Sequence, residues 1–556
     1  MKLFKTFSAT LAAVAAMAMT LGVTSASAAS TSPPTPDTHG STSKLQVRTE
    51  TGVVQGAVKY GVEGFLGIPY AAAPVGKLRW QPPQPAARWK GVRQAADFGS
   101  QCPQGAGLDS QFGSTDENCL FVNVQRPKGT KSNAKLPVYL YIHGGGFQTG
   151  SGENLNKVVA DTGVLGVSIN YRLGTLGFLA LPGLTKQQGQ SGNYGLLDQQ
   201  TALKWVQRNI GKFGGDPKRV TIGGESAGGF SMCYHMVAPG SRGTFSQVMI
   251  QSGGCPSRTQ RTAETSGTNV ANSLGCTHPA TAITCLRSKS VAQLLAGPSA
   301  GASAVRGTPF MPVDPAAAIK SGNFTHLPTV VGSQLDEGRS FYQASIGWTK
   351  NQYVAWVTTN FGTDAAAVLA HYPWPATTNA NTAPYLMSRV ATDSGLLGAT
   401  KNAAGRITAP GLGGCGTREL RVQISRFART YAYEFAHRSG PGWTDVTGYV
   451  WGAGHATELN YLFPQHGINT ESEYHNFGPA EFQLADQIVD YWGAFVKHGW
   501  TSTANQPWWP HYKLVDLGLT LSLRSGSDGN TQLITDAQYS AQHQCGFWNS
   551  IAAYNS

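Results

Sequence analysis

The 556-residue sequence predicts an α/β fold around a large, mostly parallel sheet. Three observations predict it. A β-branched run, Arg219-Val220-Thr221-Ile222, leads into Gly223-Gly224-Glu225-Ser226-Ala227-Gly228-Gly229 and straight on into an apolar helical pattern over 230–237. A buried strand, Val138-Tyr139-Leu140-Tyr141-Ile142, ends in His143-Gly144-Gly145-Gly146-Phe147. A third strand, Thr329-Val330-Val331-Gly332-Ser333, is followed by a loop that holds Asp336 and Glu337. Strands that pass through glycine-rich or acidic turns into helices are the units of an α/β sheet.

The chain opens with an export signal over 1–28: Lys2 and Lys5 precede an apolar run over 11–23, and Ala26-Ser27-Ala28 is a small-residue cleavage site. That run is too short to span a bilayer and no later stretch replaces it, so a secreted protein without stable membrane insertion is expected. Residues 29–43, rich in Ser, Thr and Pro, have the composition of a disordered segment, and 44–556 read as one large domain. The net charge is +12, but the basic residues are scattered. Lys204, Arg208 and Lys212, four residues apart, read as a solvated helix face, and the clustering that nucleic acid requires is missing. Eight cysteines in an exported chain favour disulfides. Without a Cys-x-x-Cys pair or a His-Glu-x-x-His run, neither a metal nor a cofactor is expected.

The strand that ends in Gly-x-Ser-x-Gly and turns into a helix is a nucleophile elbow. Side chains two before and two after the serine would collide with backbone, so glycine occupies both places. The turn lifts the Ser226 hydroxyl clear of the sheet, and the helix N-terminus favours developing negative charge. With 68 glycines in the chain, the pattern also recurs by chance, as Gly297-Pro298-Ser299-Ala300-Gly301. That copy follows a helix-like run, Val291-Ala292-Gln293-Leu294-Leu295, and Pro298 removes a donor beside the serine, so Ser226 is the candidate. The glycine triplet after 138–142 allows close main-chain approach, making Gly145, Gly146 and Ala227 candidate oxyanion donors; His143 is read as structural. Of the histidines beyond Ser226, only His455 lies in a small-residue loop, Gly452-Ala453-Gly454-His455-Ala456, where a ring is free to reach the serine. For the acid, Asp336 and Glu337 both remain open.

These runs are joined by others in the same order: Phe65-Leu66-Gly67-Ile68-Pro69-Tyr70-Ala71 with Leu78-Arg79-Trp80, Glu117-Asn118-Cys119-Leu120-Phe121-Val122-Asn123-Val124, Asn170-Tyr171-Arg172-Leu173-Gly174, Gly192-Asn193-Tyr194-Gly195-Leu196-Leu197-Asp198-Gln199 and Phe213-Gly214-Gly215-Asp216-Pro217. Together they resemble the type B carboxylesterase family, which also holds cholinesterases and some fungal lipases, over nearly all of the chain beyond the leader. The resemblance implies an α/β-hydrolase fold with loop and helix excursions over the active site. It implies a serine carboxylic-ester hydrolase acting on small to medium esters, with Glu337 as the acid and His455 as the base. Glu225 and Glu458 match positions beside the triad and are implied as supporting groups.

The resemblance also implies the disulfides Cys102–Cys119, Cys276–Cys285 and Cys415–Cys545, leaving Cys233 and Cys255 as a pair that either forms a fourth bridge or stays apart. Three departures stand out. Residues 103–118 lack the choline-stacking tryptophan of cholinesterases and hold only Phe112, which argues against a choline substrate. Residues 395–414 are longer and richer in Gly and Ala than the family pattern, and Ala456 and Gln334 replace a frequent glycine and asparagine. A triacylglycerol lipase would share every motif and differ in a hydrophobic lid. A non-catalytic adhesion member of the fold is disfavoured by the intact Ser226, Glu337 and His455.

Overall fold

Eleven strands in one sheet carry the fold of the computed structural model, which describes residues 45–106, 113–301, 303–402, 405–443, 446–464 and 476–551. The export signal and Ser/Thr/Pro-rich segment expected over 1–43, and Phe112, lie outside the described residues. In chain order the strands are β1 (Ala57–Lys59), β2 (Val62–Pro69), β3 (Phe121–Pro127), β4 (Leu136–Ile142), β5 (Leu165–Ile169), β6 (Gly215–Glu225), β7 (Gln247–Gln251), β8 (Thr329–Gln334), β9 (Thr430–Phe435), β10 (Thr520–Leu523) and β11 (Gln532–Ile534). Across the sheet they run β11-β10-β9-β8-β7-β6-β4-β5-β3-β2-β1. The block from β10 to β5 is parallel throughout. β3, β2 and β1 continue antiparallel at one edge, and β11 ends the other.

The helices that matter to the site are α1 (Tyr194–Asn209), α2 (Ala227–Val237), α3 (Thr382–Ser394), α4 (Gly414–Ser425), α5 (Pro479–His498), α6 (Asp536–Gln542) and α7 (Cys545–Ile551). Alternation along the strands decides which helix each residue meets. Val138, Leu140 and Ile142 join Val220, Ile222, Val248 and Ile250 in a buried cluster with Leu203 of α1 and Met232 of α2. The opposite parity, Tyr139 and Tyr141, packs with Met249, Val330 and Tyr433 against Ile488, Val489 and Trp492 of α5. Strands covered on both faces need apolar residues at both parities, which is why these segments read as continuous apolar runs. Each fully buried aliphatic side chain here contributes about 1.5–3 kcal/mol.

Two boundaries differ from the sequence reading. β6 extends through Gly223 and Gly224 to Glu225, and α2 starts at Ala227, not at residue 230. Glycine is a weak former of either element, but here tertiary contact overrides propensity. A Cβ on Gly229 would lie 2.5 Å from the Gln251 carbonyl oxygen of β7.

Four disulfides are formed: Cys102–Cys119, Cys233–Cys255, Cys276–Cys285 and Cys415–Cys545. The second ties α2 to the segment after β7. The last joins α4 to α7 across a sequence separation of 130 residues, a closure worth about 5 kcal/mol in the chain-entropy model. The excursion over 395–414 contains a small antiparallel pairing of Thr400–Lys401 with Ile407–Ala409. It lies against α2, where a Cβ on Gly398 would sit 2.6 Å from the Phe230 ring.

Candidate active site

Ser226 lies between the last residue of β6 and the first of α2, with φ 56° and ψ −119°. Such a backbone costs a non-glycine residue about 1–3 kcal/mol, so the surroundings must hold it. They do so from both sides: the Ser226 N–H donates to the Gln251 carbonyl at 3.0 Å, and the Ser226 carbonyl accepts from Phe230 N–H at 2.8 Å. A Cβ on Gly224 would come within 2.6 Å of the Ile142 carbonyl oxygen, and one on Gly228 would collide with the same oxygen. The two glycines therefore let β6 and α2 close on β4. Ser299 has none of this. It follows a helix (Val291–Ala296), is exposed, and its hydroxyl accepts from Gln148 Nε2 and from Gly301 N–H, both at 3.1 Å.

The turn after β4 lies alongside the serine, since a Cβ on Gly144 would be 3.1 Å from Ser226 Cβ. Gly145 and Gly146 have φ of 84° and 60°, a region that only glycine enters freely. Among the described residues, the main-chain N–H groups of Gly145, Gly146 and Ala227 have no hydrogen-bond acceptor. His143 braces this turn from below. Its ring stacks on Tyr171 at 4.3 Å and Nδ1 donates to the Gly144 carbonyl at 3.0 Å. Burial pushes its pKa down to about 4, so the ring is neutral near pH 7.

The loop between β9 and α5 brings His455 to the same place. Its Nδ1 is 2.5 Å from Glu337 Oε2, and its main-chain N–H donates to the Glu337 carbonyl at 3.2 Å. Glu337 is fully buried, and its other oxygen accepts from Gln334 N–H at 2.9 Å. His455 Nε2 lies 3.1 Å from Glu225 Oε1, and among the described residues no hydrogen bond joins it to Ser226. Glu458 is buried behind this group and accepts from Gln251 Nε2 at 3.3 Å. Burial, reinforced by Glu225 and Glu337, pushes its carboxyl well above the usual carboxylate range, favouring the neutral acid. Among the described residues, no group of three or more His, Cys, Asp or Glu is placed to hold a metal ion.

Asp336 and Glu337, adjacent in the chain, meet different partners. Asp336 points away from His455 into a bidentate pair with Arg438, at 2.7 and 2.8 Å. It also accepts from Ala453 N–H at 3.3 Å, two residues before His455. Other residues around the imidazole carried no sequence signal of their own. Phe341 packs its ring 4.9 Å from that of His455, while Ser340 Oγ and Trp443 Nε1 both donate to the His455 carbonyl. Gly413, at the far end of the 395–414 excursion, abuts Glu337 as well: a Cβ there would be 3.1 Å from Glu337 Cγ. A serine beside acceptor-free N–H groups, with an imidazole held by a buried carboxylate, can perform acyl transfer.

Comparison with known proteins agrees with this chemistry. The carboxylesterase family model matches residues 43–548. The chain is 33% identical to Fumonisin B1 esterase of Sphingopyxis macrogoltabida over 505 residues, 87% of each chain. It is 31% identical to an acylcarnitine hydrolase of Mus musculus, covering 83% of this chain and 84% of that one. Among solved structures, a PNB esterase superposes with a TM-score of 0.72 at 27% identity, over 90% of this chain and all of the other. The sheet is thus that of an α/β-hydrolase, and the protein belongs to the carboxylesterase family and is a carboxylic-ester hydrolase.

Proposed function

We propose that the protein hydrolyses small to medium carboxylic esters through an acyl-enzyme on Ser226, with His455 as base and Glu337 as its orienting acid. Ser226 Oγ attacks the ester carbonyl carbon while His455 Nε2 takes the hydroxyl proton. The tetrahedral intermediate collapses, the bond to the alcohol oxygen breaks, and His455 returns the proton to the leaving alkoxide. Water then attacks the acyl-enzyme with its proton passing to His455, and Ser226 leaves with that proton as the free acid departs. Glu337 Oε2 accepts Nδ1–H and so keeps Nε2 in the basic tautomer. The imidazole reaches Oγ by pivoting about this contact, away from Glu225. Gly145, Gly146 and Ala227 donate to the oxyanion, each worth about 2.7–4 kcal/mol in comparable sites. Glu225 and Glu458 support the site and take no part in the proton transfers.

The observation that carries the reading is the set of three N–H groups, without an acceptor among the described residues, on the two turns that meet at a strained Ser226. The names of the relatives, an esterase of fumonisin B1 and hydrolases of acylcarnitine and pyrethroid, support a small-molecule ester as substrate. We further propose that residues 1–28 are removed on export and that 44–556 form the hydrolase domain of a secreted protein. Among the described residues no helix is long and apolar enough to cross a membrane. An acyl-chain-length series of p-nitrophenyl esters tests the substrate class. Maximal kcat/KM is expected at short to medium chains in free solution, and a rate that rises only on emulsified long-chain triglyceride would overturn it. Protein sequencing of the exported form checks the cleavage after Ala28.

A further inference from the structure

A cavity of about 560 Å³ opens beside the loop that carries Glu337, separate from the serine and lined by Arg339, Arg389 and Arg438 together with Asp336, Asp393 and His543. We propose that it binds a compact polycarboxylate, held chiefly by Arg339 and Arg389.

Helix α3 sets the spacing. Tyr385 and Arg389 are one turn apart on it, so their side chains share a face about 6 Å apart. The Arg339 guanidinium lies over the Tyr385 ring, 3.8 Å from its centroid, which brings a second guanidinium to the same face. Neither arginine is held in a close ion pair. Arg339 donates to the Val450 carbonyl at 2.6 Å and has no carboxylate within ion-pair distance among the described residues. Arg389 reaches Asp393 only at 3.7 Å, and its side chain is 57% exposed.

The acids that share the cavity are already engaged. Both oxygens of Asp336 accept from Arg438. Asp393 gives one oxygen to His543 Nδ1 at 2.8 Å and accepts from the Tyr372 hydroxyl with the other at 2.9 Å. Asp336 is set against Arg438, while His543 is shared between Asp393 and Glu434 and Arg389 offsets the remaining negative charge only across 3.7 Å, so Arg339 is left without a carboxylate and Arg389 with a long, exposed ion pair. Their planar donor forks match carboxylates bidentately, and two forks a helical turn apart match a ligand with more than one carboxylate. The cavity has the size of a small-molecule site, with Leu335, Leu386 and Pro375 supplying apolar walls.

Titration calorimetry of the full chain with citrate, at pH 7 and constant ionic strength, tests the proposal, with thermal unfolding run in parallel. Saturable binding and a raised Tm are expected. Arg389→Gln should weaken citrate binding at least tenfold, and the pair Arg339→Gln with Arg389→Gln should abolish it. Arg389 is more than half exposed and holds only a long ion pair, so its single variant keeps the fold even if the double variant does not. Binding that survives in Arg389→Gln within a factor of two would overturn the proposal. So would an effect that sodium chloride at equal ionic strength reproduces, or inorganic phosphate binding as tightly as citrate.

Discussion

His543 is buried between two carboxylates, and its replacement gives a stability change whose pH dependence is fixed by the structure. Nδ1 is 2.8 Å from Asp393 Oδ1 and Nε2 is 2.7 Å from Glu434 Oε1, while the side chain is 1% exposed. The network extends through the Tyr372 hydroxyl to Trp548 Nε1, and through Glu434 to Gln542, so it ties α6 and α7 to α3 and β9. Burial, the largest influence, opposes the charge, but the hydrogen bonds and charges of Asp393 and Glu434 outweigh it and raise the pKa from 6.5 to about 9. A folded-state pKa above the unfolded one stabilises fully below about pH 6.5 and is lost as pH rises through about 9. The shift corresponds to about 3 kcal/mol. At about 2.1 cal/mol/K per residue, a chain this long moves its Tm by roughly 1 °C per kcal/mol. His543→Asn keeps the shape, cannot carry the charge, and leaves Asp393 and Glu434 buried without a cation. Thermal unfolding of both proteins at one scan rate from pH 6 to pH 10 should show a Tm gap of about 3 °C or more at pH 6 that closes towards pH 10. Parallel curves across the range would refute the imidazolium, since a purely steric loss has no reason to vary with pH.

The remaining expectations follow from the site. Glu337→Gln should lower kcat by about 10⁴ while preserving the fold, because it favours the wrong imidazole tautomer. Asp336→Asn should instead act through Arg438 and the His455 loop, lowering Tm with a far smaller loss of kcat; the opposite ranking in steady-state kinetics would reverse the acid assignment. Gly228→Ala should cost both stability and activity, since its Cβ has no room beside the Ile142 carbonyl, and a fully active Gly228→Ala enzyme would contradict the packing of the turn. Choline esters should show no kcat/KM advantage over uncharged esters of the same acid, given that residues 103–118 hold no tryptophan. A large preference for choline would mean that an aromatic elsewhere supplies the cation site.

Much of this was legible in the chain because the informative residues are local. The β6–α2 turn, the glycine triplet and the strand before Glu337 each occupy a few consecutive residues whose pattern has one geometric solution. The strand expected before Ser226 and the helix expected before Ser299 are both formed. The choice between Asp336 and Glu337 was not legible from the residues alone, because adjacent carboxylates in one loop differ only in which partner each meets. The partners that Asp336 meets, Arg438 and Ala453, lie more than 100 positions away. The Cys233–Cys255 bridge depended likewise on α2 and the end of β7 lying side by side, and the contact of Gly413 with Glu337 on the path of the 395–414 excursion. Such long-range pairings leave no periodic trace in the sequence. The same holds for Phe341 against His455, where an aromatic four residues after Glu337 has no distinguishing neighbours.

The central claim is that the acyl group passes through Ser226, and covalent trapping tests it most directly. Incubation with an organophosphate ester that carries a chromogenic leaving group should release one equivalent of chromophore per active chain. Peptide mass spectrometry should then place the phosphoryl group on Ser226, with no adduct and no ester turnover in Ser226→Ala and unchanged labelling in Ser299→Ala. Label on another residue, or turnover that persists in Ser226→Ala, would contradict the account.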